Sequence, residues 1–317
     1  MRILFADDTD ISLNGDIDFS GLQALGEYHS LPNGSVAEVI EHGAATEVIV
    51  VNKALITAAV FEALDDLRLV AVSATGYNNV DLEAARGAGV TVSNVAGYAG
   101  DTVPQHAFAL ILNLATKAYR YAADVARGDW QRSASFTLLR YPTFELKGLT
   151  IGIIGFGVIG RGVARIAEGF GMRILAHDAF PIHDSPYANT PLDQVLAESD
   201  FVTVHSPLTE QTRNLIDAAA LARMKPSAYL INTARGGIVD EAALAAALHE
   251  GRLAGAGFDV LTQEPPSAGN PLLEAPNIII TPHSAWSTRE ARQKLVDESV
   301  ENIRAFIAGT PRNVVSA

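Results

Sequence analysis

The stretch TIGIIGFGVIGRG, residues 150–162, decides the fold. A short run of strand character meets three glycines, Gly155, Gly157 and Gly160, spaced G-x-G-x-x-G, and a helical period begins behind them. In a strand–turn–helix unit the first glycine permits the tight turn. The second lets backbone approach a pyrophosphate, and the third lets the helix pack close to the strand. Amides at the helix start, helped by the helix dipole, then receive the anion. A strand-to-helix turn wants small residues in any case, so the glycines acquire meaning only from the next strand. That strand, MRILAHD, ends at Asp178, 18 residues beyond Gly160. A carboxylate at that spacing accepts from both adenosine ribose hydroxyls and repels a 2′-phosphate. The unit therefore predicts a dinucleotide site that prefers NAD to NADP. His177 and His183, nearby, read as surface residues.

Outward from this unit, strand pattern recurs at 173–177, 201–204, 228–232, 255–259 and 277–281, giving a six-stranded sheet. Ahead of it, apolar runs at 3–6, 48–51, 69–74 and 90–92 alternate with helical segments near 35–42, 57–64 and 81–87. Such alternation of short Val- and Ile-rich runs with helices predicts an α/β protein built on doubly wound parallel sheets. Residues 101–127 read as one long helix, with Asp101 or Thr102 as N-cap and Pro104 in its first turn. Residues 128–147 are irregular. Their Trp130, Phe136 and Phe144 serve either local packing or a contact with another domain or subunit. An amphipathic segment at 288–308 has no place in a completed six-strand unit and is expected to return to the first domain. That predicts a discontinuous domain, 1–98 plus 287–317, with 99–286 inserted in it.

Composition narrows the function. With 317 residues, 48% hydrophobic and only 19% charged, the chain has ample material for two cores. Its net charge of −13 argues against nucleic-acid binding, which draws on basic groups. No run approaches the length of a membrane span, and in Met1–Asp10 Asp7 and Asp8 directly follow a short apolar run, which is wrong for a secretory signal with its basic start and longer apolar stretch. The absence of cysteine excludes disulfides, thiolate metal sites and a thiol nucleophile, and fits a cytoplasmic protein with no metal.

Three polar residues come after successive strands of the second sheet: Arg235 in NTARGG, Glu264 in DVLTQEPP and His283 in TPHSAW. Reduction of a 2-keto acid needs a cation for the carboxylate and an acid for the carbonyl oxygen. An arginine fork grips a carboxylate with two charge-assisted bonds, and histidine is suited to acid–base work near neutrality. Glu264 on the second imidazole nitrogen would orient the ring and favour its protonated form. Singly, each reads equally as a solvated turn arginine, a loop carboxylate or a buried histidine. Together on a dinucleotide sheet they point to hydride chemistry.

With Asp178, the motifs GFGVIG, NTARGG, DV…EP and TPHSAW, in this order, resemble the D-isomer-specific 2-hydroxyacid dehydrogenase family over nearly the whole chain. SATGYNNVD (73–81), GYAGDTVPQHAFAL (97–110) and HSAWSTREAR (283–292) look most like its glycerate dehydrogenase or hydroxypyruvate reductase branch. The resemblance implies Arg235, Glu264 and His283 as catalytic residues, and a Rossmann-type NAD domain inserted in a flavodoxin-like substrate domain. It also implies an active site in the cleft between the domains and a homodimer.

The expected cofactor contacts are Gly155, Phe156, Gly157, Val158, Ile159, Gly160 and Asp178, with Thr102 at the start of the long helix. Later strand ends add His205, Ser206, Pro207, Thr212, Thr233, Ala234, Arg235, Asp259, His283 and Ala285. Asn52, Lys53, Ala74, Thr75, Gly76 and Tyr77 are expected at the substrate with Arg235 and His283; Lys53 reads equally as a solvated lysine. Many members carry Glu where this chain has Gln105, which removes a negative charge near the cleft. Few further basic residues face the expected cleft, which favours a small unphosphorylated acid. A phosphoglycerate dehydrogenase-like activity and a non-catalytic NAD-sensing protein are the alternatives.

Overall fold

The computed structural model describes residues 1–316. The chain divides into two units, Met1–Ala99 with the segment from Trp286 onward, and Gly100–Ala285.

In the first unit, β1 (Arg2–Phe5), β2 (Glu27–Ser30), β3 (Val48–Val51), β4 (Leu69–Val72) and β5 (Thr91–Ser93) form an all-parallel sheet in the order β2-β1-β3-β4-β5. This is the flavodoxin-like order. β3 and β4 are buried throughout, as strands covered on both faces must be. β2 is an unexpected strand. Its sequence, EYHS, lies on the sheet edge with three of four residues exposed, so no apolar run announces it.

The helix Arg289–Ile307 closes one face of this sheet. Its inward residues Arg292, Leu295, Val296, Ser299, Val300 and Ile303 fall at helical spacing, and Thr288 caps its start by accepting from the Ala291 amide. Leu295, Val296, Val300 and Ile303 pack with Ile3, Phe5, Val48, Val50 and Leu69, each contributing about 1.5–3 kcal/mol by burial. The polar members of the stripe are paired: Arg292 holds Asp16 through two bonds of 2.8 and 2.6 Å, and Ser299 meets Ser73 at 2.7 Å.

The second unit carries β6 (Thr150–Ile154), β7 (Arg173–His177), β8 (Phe201–Val204), β9 (Tyr229–Asn232), β10 (Gly255–Phe258) and β11 (Ile278–Ile280), all parallel, in the order β11-β10-β9-β8-β6-β7. Beyond β7 the sheet continues as a single bridge between Ala176 and Asn189. The strand order reverses between β6 and β8, and ligands of doubly wound sheets bind outside the carboxyl ends at such a point. The helix expected over 101–127 is two helices, Thr102–Thr116 and Ala118–Ala126. Lys117 between them takes a left-handed conformation (φ 55°), which breaks the hydrogen-bond ladder. In the irregular segment Phe144 packs locally against Phe201 and Tyr229, whereas Trp130 and Phe136 are exposed. Among the described residues no helix is long and apolar enough to cross a membrane, and no cluster of potential metal ligands occurs.

Candidate active site

Gly155 lies just past β6 with φ +90°, and a Cβ there would stand 2.5 Å from the Ser206 amide nitrogen. Only glycine lets the turn after β6 sit this close to the loop after β8. A Cβ at Gly160 would stand 2.2 Å from the Gly155 carbonyl oxygen, whereas one at Gly157 meets nothing within 4 Å. The second glycine therefore faces open space, the cradle that a close-approaching phosphate requires. Behind it the helix Val158–Gly169 begins with no side-chain cap, leaving its first amides to an external acceptor. The Val158 side chain is exposed there, Ile159 is half-buried and Phe156 is buried.

Asp178, just past β7, accepts from the Phe156 amide (2.7 Å) and the Phe180 amide (3.0 Å), so its carboxylate is fixed beside the glycine turn. His177 is half-buried, with Nδ1 2.9 Å from the Thr190 carbonyl oxygen. This corrects its reading as a surface residue. His183 is exposed. After β8, burial pushes the His205 pKa down to about 3, so the ring is neutral; its Nε2 lies 2.8 Å from Thr203 Oγ1 and its Nδ1 3.5 Å from Thr233 Oγ1. The Ser206 hydroxyl is buried without a hydrogen-bond partner among the described residues. An orphaned hydroxyl beside an open glycine cradle fits a bound polar group, as the dinucleotide reading demands. Pro207 is exposed, and the Thr212 hydroxyl is spent on the loop, donating to the Pro207 carbonyl at 2.6 Å.

Arg235, Glu264 and His283 lie beyond β9, β10 and β11, three adjacent parallel strands, so topology places them side by side. His283 Nδ1 lies 2.6 Å from Glu264 Oε2, and the Leu261 amide donates to Glu264 Oε1 at 2.8 Å, which fixes the carboxylate from behind. Arg235 is half-buried and donates to the Ala234 carbonyl; its guanidinium pairs with no carboxylate among the described residues. A partly desolvated arginine without a protein anion is suited to an anionic ligand. Buried Asn232 shapes the Arg235 turn, accepting from the Ala234 amide (3.0 Å) and donating to the Arg235 carbonyl (2.9 Å).

Asp259 was expected among the cofactor contacts. Its carboxylate, 1% exposed, is turned into the protein and receives the Thr281 hydroxyl (2.5 Å), the Ser284 amide (2.9 Å) and the Ala285 amide (2.8 Å). Thr102 holds the same turn by donating to the Ala285 carbonyl at 2.9 Å. The turn needs holding, because His283 adopts φ +53°, a conformation that costs a non-glycine residue about 1–2 kcal/mol. His106 joins from the helix Thr102–Thr116, with Nε2 2.9 Å from Thr281 Oγ1. Sequence reading missed Asn232 and His106; each lies in a motif that was read for its neighbours.

In the first unit, Asn52 and Lys53 come after β3, and Ala74, Thr75, Gly76 and Tyr77 after the adjacent β4. Buried Asp7, at the end of β1, accepts the Asn52 amide (2.7 Å), the Lys53 amide and the Ala54 amide (2.7 Å). Asn52 is itself buried and donates to the Ser73 carbonyl at 2.6 Å. Lys53 is exposed, with Nζ 5.8 Å from the centre of the Trp286 ring. Thr75 donates its hydroxyl to the Val95 carbonyl, while the Thr75 and Gly76 amides donate to no acceptor among the described residues. Tyr77 and Gln105 are exposed.

Residues 108–285 match the family model described as D-isomer specific 2-hydroxyacid dehydrogenase, NAD binding domain. The glycerate dehydrogenase of Methylorubrum extorquens is 47% identical over 282 residues, 88% of each chain. The hydroxypyruvate reductase of Blautia hydrogenotrophica is 37% identical over 308 residues, 95% of this chain and 96% of that protein. Among solved structures, the D-lactate dehydrogenase of Aquifex aeolicus complexed with NAD and lactic acid is similar with a TM-score of 0.82 at 29% identity, covering 100% of this chain and 99% of that one.

Proposed function

The chain belongs to the D-isomer specific 2-hydroxyacid dehydrogenase family, and from that premise we propose that it reduces small, unphosphorylated 2-keto acids, hydroxypyruvate or glyoxylate foremost, to their D-2-hydroxy acids. The observation that carries this reading is the 2.6 Å His283–Glu264 pair past β11 and β10, with Arg235 past the adjacent β9 and its guanidinium paired with no carboxylate among the described residues. Gly155, Gly157 and Asp178 would hold NADH, which when bound would supply a hydride to the carbonyl carbon. Arg235 holds the substrate carboxylate and polarises the keto oxygen. His283, with Nδ1 on Glu264, gives the Nε2 proton to that oxygen as the carbonyl π pair moves onto it; the reverse sequence oxidises the hydroxy acid. Glu264 balances the imidazolium and sets the ring's orientation.

The unit 100–285 carries the cofactor in this reading, and the unit made of 1–99 and 286 onward is the substrate domain. Its turn at Ala74–Gly76, whose Thr75 and Gly76 amides donate to no acceptor among the described residues, serves as an anion-binding turn. We assign the exposed apolar residues of the irregular segment to a second copy of the chain. Phe136 and Leu139 are 91% and 86% exposed, while ion pairs of Arg132 and Arg140 with Asp129 hold the segment's shape. The enzyme is assigned to the cytoplasm, in keeping with its lack of cysteine.

A spectrophotometric panel of hydroxypyruvate, glyoxylate, pyruvate and longer 2-keto acids, each with NADH and NADPH, tests the activity. The highest kcat/KM is expected for hydroxypyruvate or glyoxylate with NADH, and no turnover of any keto acid would overturn the reading. Light scattering of the wild type and of a Phe136→Ser, Leu139→Ser variant tests the dimer.

A further inference from the structure

We propose that His106 is a positioning residue for the proton donor, acting through Thr281 and Asp259 on the turn that carries His283; this rests on the reading of His283 as that donor. Thr281 has one hydroxyl hydrogen, and its 2.5 Å contact with Asp259 Oδ1 takes it. Toward His106 the same oxygen is then an acceptor, so the 2.9 Å contact requires His106 Nε2 to carry hydrogen and donate. Nε2 also lies 3.5 Å from Asp259 Oδ1.

A donor chain therefore runs from the helix Thr102–Thr116 to a buried carboxylate. That carboxylate also takes the Ser284 and Ala285 amides, one on each oxygen, with the Ser284 hydroxyl 3.5 Å from Oδ1, while the His283 amide donates to the main-chain carbonyl of Asp259 at 2.8 Å. Those bonds span the left-handed residue. If the chain is cut at its far end, Thr281 can turn its hydroxyl away, for instance toward the Phe258 carbonyl 3.4 Å off, and Asp259 loses its short side-chain donor, keeping the Ser284 hydroxyl at 3.5 Å. The His283 turn then keeps its amide bonds and the imidazole its Glu264 contact, but the carboxylate that anchors the turn is less firmly held and the aim of the ring loosens. Proton transfer is sensitive to sub-ångström misplacement, whereas the glycine turn that receives the pyrophosphate lies outside this chain of bonds.

The test compares wild type with His106→Leu, Thr281→Val and His106→Gln in the full chain. In His106→Leu and Thr281→Val, kcat on hydroxypyruvate is expected to fall about tenfold, with the Kd for NADH within about twofold. In the unliganded protein, amide hydrogen exchange at 283–285 should quicken about tenfold while that of β6 and the helix Val158–Gly169 is unchanged. His106→Gln, whose amide can donate in place of Nε2, should recover kcat to within about threefold of wild type. Wild-type kcat and wild-type exchange in His106→Leu would overturn the proposal, as would faster exchange spread evenly over the whole unit. A wild type inactive on every 2-keto acid, with the local exchange response intact, would overturn the reaction reading and leave the link from His106 to the turn standing.

Discussion

The turn after β3 in the first unit and the turn after β11 in the second are each strapped by a buried aspartate, and the straps differ. Asp7, 4% exposed, gathers three consecutive amides at Asn52–Ala54 and no side-chain donor among the described residues. Asp259 gathers two amides, then a hydroxyl backed by a histidine. A turn that presents backbone and an exposed lysine needs its path fixed and little more. A turn that presents an imidazole in a left-handed conformation needs aim as well, and the side-chain chain supplies it. Burial pushes the Asp7 carboxyl above the usual carboxylate range, against the pull of the three amides.

The sharpest way to break this comparison is at the imidazole. His283→Ala should lower kcat by about 10² to 10⁴, the usual size of a general-acid contribution, with NADH affinity near wild type in a fluorescence titration. Full retention of turnover would reduce the second turn to architecture. The turn after β6, where half-buried Asp178 takes the Phe156 amide, gives the next contrast. Gly157→Ala faces open space and should keep the urea midpoint while weakening NADH by about tenfold, whereas Gly155→Ala collides with the Ser206 backbone and should lose about 1–3 kcal/mol of stability as well.

Asp7→Asn sharpens the first turn. It offers the Lys53 and Ala54 amides a second donor or a single acceptor, and should cost about 1–3 kcal/mol in urea unfolding at pH 7. The smallest effect is the pH slope. Because the folded pKa of Asp7 is raised, the native chain binds its proton more tightly than the unfolded chain. Its contribution is fully present below the unfolded value and is lost as pH rises through the raised one. Wild-type stability minus that of Asp7→Asn should therefore decline as pH rises through that window, and a flat difference would contradict the strap's electrostatics.

Sequence made legible what rests on periodicity and on fixed motif spacing. The buried runs at β3, β4, β6 and β8 announce strands, and the glycine turn with Asp178 announces a cofactor site. The polar edge strand Glu27–Ser30 has no apolar signature, and the helix break at Lys117 depends on a left-handed backbone that lysine does not advertise. Arg235, Glu264 and His283 stand out by residue type at strand ends. The residues that hold the turns after the strands do not: Asp7, Asn232 and His106 declare a role only once the chain has brought their acceptors or donors within 3 Å, across separations of up to 175 residues.

The helix Arg289–Ile307 has a consequence for how the protein is made. A ribosome delivers β1 to β5 first, yet one face of their sheet lacks Leu295, Val296, Val300 and Ile303 until the second unit has wholly emerged. The contiguous second unit meanwhile has every strand it needs. In vectorial synthesis the sheet begun first is finished last, and its bare face is the natural client of a chaperone during the interval.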